Sequence, residues 1–137
     1  MKIIKYTFRS LFFIYISLVL FFSLYSFNNT QVNLSEYIFG IRADRYAHFI
    51  MFFPFPFSAW FAFGGIIRKF AGRWSMVMLC LSGITISSIT EVLQKLNPDR
   101  GFDYIDLIAN YSGIITGTLL VIFLDQYAKN VWPRRLQ

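Results

Sequence analysis

The residues of this chain that could do chemistry fall in three short blocks: Asp44, Arg45 and His48; Glu91, Gln94 and Lys95; and Arg100, Asp103, Asp106 and Asn110. His48, the single histidine, and Glu91 could move a proton between them, with Asp103 or Asp106 orienting the ring or supplying a nucleophile. That is the equipment of a hydrolase or transferase, although no spacing here specifies a reaction. Arg45 and Arg100 could each offer a two-pronged fork to a phosphate or carboxylate, next to helix starts whose N–H groups also attract anions. Asp44, Gln94 and Asn110 would complete such a ligand site. One histidine with carboxylates is compatible with Mg, Mn or Zn but diagnostic of none, so metal and cofactor stay open.

Each of these residues also has a plainer explanation. Asp44, Asp103 and Asp106 stand where helices are expected to begin, and an Asp there satisfies orphan N–H groups without further purpose. Arg45 and Arg100 can be ordinary surface counter-ions, and Asn110 can hydrogen-bond one helix to another. Glu91 resists this treatment: it closes an apolar helix, at the end where the dipole disfavours negative charge. His48 has the converse problem at a helix start, so a His48–Glu91 pair, or one ion shared by both, would relieve each. Cys80 lies mid-segment with no base at a readable spacing, so it is neither a nucleophile nor part of a disulfide framework.

The elements that must carry these side chains are apolar. Of 137 residues, 56% are hydrophobic, 20% aromatic and only 15% charged, a balance that a small soluble domain could not bury. Four stretches, about Phe8 to Phe27, Ala47 to Ile67, Trp74 to Leu93 and Ile105 to Leu124, are each long enough to cross a bilayer as a helix. The fold class expected is therefore all-α: a single domain over residues 1–137, a four-helix transmembrane bundle. The first stretch follows Lys2, Lys5 and Arg9 like a secretory signal, but Ser23 to Asn29 offers no small-x-small cleavage site, which points to an uncleaved anchor. Pro54 and Pro56 predict a kink in the second, and the small and hydroxylated residues from Ser82 to Thr90 place the third against other helices. Within the linker of about Asn28 to Tyr46, Leu34 to Phe39 could form a short interfacial helix.

The net charge of +6 does not indicate nucleic acid, because the basic residues flank apolar runs instead of gathering on one soluble face. Nine of the 13, namely Lys2, Lys5, Arg9, Arg68, Lys69, Arg73, Lys129, Arg134 and Arg135, lie at the two ends and in the second loop. By the positive-inside rule both termini are cytoplasmic, which puts the three polar blocks at the outer surface. Helical spacing then aims three stripes at one volume: Asp44 and His48; Gly83, Ser87 and Glu91; Asp106, Asn110, Gly113 and Gly117. The two glycines of the last stripe form a small-xxx-small patch for close helix approach.

Taken in order, Asp44-Arg45-x-x-His48-Phe49, Glu91-x-x-Gln94 and Arg100-x-x-Asp103-x-x-Asp106-x-x-x-Asn110-x-x-Gly113-x-x-x-Gly117 resemble the VanZ-like family of small bacterial membrane proteins. The resemblance covers about Asp44 to Gly117. It departs at Arg45, where the family more often has Lys, and at Phe52, where it more often has Tyr, which argues against a role needing that amine or phenol. The resemblance implies a multi-pass protein of the bacterial cytoplasmic (inner) membrane in a cell-envelope setting, since the family's named member is associated with low-level teicoplanin resistance. Three functions are consistent with these residues. The leading one is an outer-leaflet site for an anionic lipid head group or lipid-linked envelope precursor; the others are His48/Glu91 acid-base catalysis and a non-catalytic structural subunit. Membrane lipids are the expected partners, with a homo-oligomer also open. A transporter is disfavoured because inverted repeats and a midplane charge are missing.

Overall fold

A computed structural model describes residues 2–24, 37–96 and 103–131, and they are overwhelmingly helical. Helix α1 (Lys2–Leu24) is followed by a two-residue-per-strand hairpin, β1 (Tyr37–Ile38) and β2 (Ile41–Arg42). Next come α2 (Ala43–Phe52), α3 (Phe55–Ala71), a single 3-10 turn (Gly72–Trp74), α4 (Ser75–Gln94) and α5 (Tyr104–Val131). The hairpin turns on Phe39 (φ 50°) and Gly40 (φ 80°), and positive φ at both central residues is what a two-residue strand connection requires. This corrects the expected interfacial helix: Tyr37 and Ile38 are strand, and Leu34 to Glu36 lie outside the described residues. The end of the first expected span, through Phe27, also lies outside them.

Three helical stretches are long and apolar enough to cross a membrane: Ile3–Leu24, Ala43–Gln94 and Tyr104–Ala128. The middle one is interrupted twice. Its first break is the expected kink, at Phe53 and Pro54, so the second span begins earlier than Ala47 and consists of two helices. Pro54 and Pro56 have no N–H to return to the preceding turn. Pro56 falls in the first turn of α3, where a missing donor costs nothing. The Tyr15 hydroxyl donates to Met51 O at 2.5 Å, so α1 satisfies a carbonyl beside the break. The second interruption is at Gly72, whose φ of 51° caps α3 in the left-handed region that glycine adopts readily. Beyond it α3 and α4 pack on one another.

Helix α5 lies against α2, α3 and α4, while α1 covers α3 and α4. The interior combines Phe52, Phe55, Leu79 and Ile114 with buried Ser87, Thr90, Glu91 and Asn110. Phe13, Phe21, Phe61, Leu119 and Phe123 point outward. Apolar outside with polar inside reverses the soluble pattern and suits a lipid solvent. Helix α4 shows both faces: Gly83, Ser87, Thr90 and Glu91 are buried, whereas Val77, Met78, Leu81, Ile89 and Val92 are exposed.

Candidate functional site

Close approach of two backbones sets up the site. A Cβ on Gly113 would lie 2.6 Å from Phe49 O, and one on Gly117 would lie 2.5 Å from Phe53 O. Only glycine permits that contact, and it brings α5 onto the C-terminal half of α2. One turn toward the start of α5 from Gly113, Asn110 then meets His48: His48 Nδ1 and Asn110 Oδ1 are 3.0 Å apart. A further turn back, Asp106 Oδ2 lies 3.7 Å from His48 Nε2. With Nδ1–H donating to the amide oxygen, Nε2 is the ring atom directed at a carboxylate. At that separation the contact is ionic when the ring is protonated and too long for a direct hydrogen bond.

Asp44, His48 and Phe52 form the buried face of α2. The Asp44 carboxylate receives the Arg42 guanidinium at 2.5 Å, and the same Arg42 lies 3.9 Å from Asp103 Oδ2. Arg42 thus links the start of α2 to the start of α5. In the sequence it is one of the four basic residues outside the two ends and the second loop. Its role depends on the hairpin that returns β2 into α2; the only local signal was its position two residues before Asp44.

Asp103 caps α5: its Oδ1 accepts the Ile105 N–H at 2.8 Å. Its own N–H donates to Glu91 Oε1 at 3.3 Å. Glu91 therefore lies at the N-terminal, positive end of α5, which offsets the unfavourable end of its own helix. The sequence pointed to a His48–Glu91 pair; the contacts described for His48 run to Asn110 and Asp106, and that for Glu91 runs to Asp103. Between α4 and α5, Ser88 Oγ and the Tyr111 hydroxyl add a 2.7 Å hydrogen bond.

Burial sets this cluster apart from a solvated helix end. Glu91 and Asn110 are 0% exposed and Gln94 2%. Among the described residues, Asn110 Nδ2, Gln94 Nε2, Arg45 Nε, Asp44 Oδ1 and Asp106 Oδ1 are buried without a hydrogen-bond partner. A buried polar group left unmatched costs about 1–3 kcal/mol, so these atoms call for partners, water among them, beyond the contacts described. Arg45 is half-buried, Lys95 is exposed, and Arg100 lies outside the described residues. Among the described residues no three His, Cys, Asp or Glu side chains gather as a metal site, so the His48, Glu91 and Asp metal set finds no support here.

Helices apolar on the outside, with ionisable side chains buried at one end, define a helical membrane protein with a polar cluster at one end of its helices. The family model described as VanZ/LLP1 matches residues 4–125, and the chain belongs to that family. The match takes in α1, which lies beyond the motifs of the sequence resemblance. No curated protein and no solved structure matches the chain.

Proposed function

We propose that the chain crosses the bacterial cytoplasmic membrane four times with both termini inside, and that the His48, Asp106 and Asn110 cluster binds a phosphate-bearing lipid head group at the outer face. The fourth crossing follows if the chain reverses at Gly72–Trp74, where Arg68, Lys69 and Arg73 would hold the turn in the cytoplasm. The observation that carries the ligand is the set of unmatched donors: the Asn110 and Gln94 amides and the Arg45 Nε–H. Three donor groups without protein acceptors suit an acceptor-rich anion. The unmatched Asp44 and Asp106 oxygens suit hydroxyl groups beside it, a combination present in a glycolipid phosphate or a lipid-linked envelope precursor. In native mass spectrometry, the protein should retain a polyprenyl phosphate that a doubly substituted Arg45→Gln, Arg100→Gln chain retains at least tenfold less. Equal retention by both contradicts the proposal.

A second function is favoured by one feature, the His48 ring held at Nδ1 by Asn110 with a carboxylate at Nε2. That alignment orients an imidazole for acid-base work on the bound head group. It predicts turnover of a phosphoester lipid that His48→Gln abolishes while binding persists; loss of binding and stability in parallel would leave His48 a structural role only.

A further inference from the structure

A second polar region lies at the other end of the helices, about 28 Å from Asp106 along α5 at 1.5 Å per residue. Here a cleft of about 430 Å³ opens between the end of α3, the start of α4 and the last turns of α5. Arg68, Arg73, Ser75, Asp125 and Gln126 line it with apolar neighbours. We propose that this cleft is a second anion site, for the phosphate group of a lipid head group or of a soluble phosphoester.

Four independent features carry this. Helix α4 starts uncapped: its N-cap is Trp74, no side chain accepts from its first turn, and that turn holds no acidic residue. The preceding 3-10 turn takes one N–H, Ser75 N donating to Gly72 O, and with no acidic side chain in the first turn the positive end stays open to an anion. Ser75, 7% exposed, lies at that helix start and lines the cleft, and among the described residues its hydroxyl makes no hydrogen bond. Arg73 is exposed over the Trp74 ring at 5.5 Å, with no acidic partner among the described residues. Arg68 pairs with Asp125 and stacks 4.7 Å from the Trp60 ring, which fixes its guanidinium at the edge of the cleft. Asp125 neutralises one arginine, so the charge left for a ligand comes from Arg73 and the helix start. Trp74, largely exposed beside the cleft, is of the type that settles at head-group depth in a bilayer.

The test uses full-length protein in mild detergent, with phosphatidylglycerol or phosphatidylcholine titrated in native mass spectrometry. The wild type should hold one phosphatidylglycerol at least tenfold more tightly than phosphatidylcholine. Arg73→Gln combined with Ser75→Ala should remove that preference, Arg73→Lys should restore most of it, and Arg45→Gln at the opposite end should leave it intact. Displacement by millimolar inorganic phosphate assigns the site to soluble phosphate groups; persistence assigns it to the lipid head group. Equal binding of the two lipids, an unchanged preference in the double variant at an unchanged melting temperature, or loss in Arg45→Gln would each overturn the proposal. The opposite-end cluster would be unaffected by the first two outcomes.

Discussion

Asn110 accepts from His48 Nδ1 at 3.0 Å and is fully buried, so its removal leaves a buried ring N–H without that acceptor. Asn110→Ala is expected to destabilise the protein by about 1–3 kcal/mol in an SDS-unfolding titration, and an unchanged midpoint would show that the bond carries no weight. Asp44 with His48, and Asp106 with Asn110, could each be read as one face from spacing alone, because four-residue steps on a helix share a face whatever the tertiary structure; that the two faces meet is a tertiary fact. Glu91 was readable as a carboxylate at the wrong end of a dipole, for which the sequence offered His48 or a shared ion as the partner. One partner it does meet is the Asp103 N–H, twelve residues further along the chain, and no periodicity encodes that contact. Arg42 was missed for a related reason: its reach to Asp44 and Asp103 depends on positive φ at Phe39, which residue type does not announce.

The packing of α5 on α2 rests on Gly113 and Gly117, and there the obstructing atoms are backbone carbonyls that cannot rotate away. Gly113→Ala and Gly117→Ala are each expected to cost about 1–3 kcal/mol and to loosen the site by separating Asn110 from His48. Gly65 supplies the control, since a Cβ there meets nothing within 4 Å and it sits inside α3. Gly65→Ala should be neutral or stabilising by up to about 1 kcal/mol, and a loss as large as at Gly113 would refute the close-approach account. The small-xxx-small spacing and the Pro54 kink were both visible in the sequence, being local properties of glycine and proline. That α5 would use its glycines against α2, at the turn preceding that kink, is a tertiary fact. So is the rescue of Met51 O by Tyr15, contributed by a helix whose sequence otherwise suggested only an anchor.

Apolar exteriors and a polar interior suit the chain to a bilayer, and the positive-inside rule applied to its Lys and Arg predicts which end faces which side. The hairpin tip and the α3–α4 turn should then lie on opposite faces of the membrane. With Cys80 replaced by Ser, a Phe39→Cys chain should react with a membrane-impermeant maleimide on intact spheroplasts, since Phe39 is 98% exposed. Arg73→Cys should react only after permeabilisation. Labelling of both from outside would contradict four crossings with cytoplasmic termini. Overall class was the most readable property of the sequence, because 56% hydrophobic content is a sum over the whole chain and tolerates local error.

The central claim is that the unmatched donors beneath the outer surface hold a phosphate-bearing ligand, and the side-chain amides of Asn110 and Gln94 report on it directly. We would titrate nitrogen-15-labelled protein in micelles with a polyprenyl phosphate and follow those two amide signals, assigned by Asn110→Ser and Gln94→Ser. Both should shift together and saturate near one equivalent, as N–H groups that gain an anionic acceptor do. Stationary signals under conditions where the lipid is demonstrably bound would contradict the account, because the ligand would then occupy another part of the protein and these donors would remain unmatched.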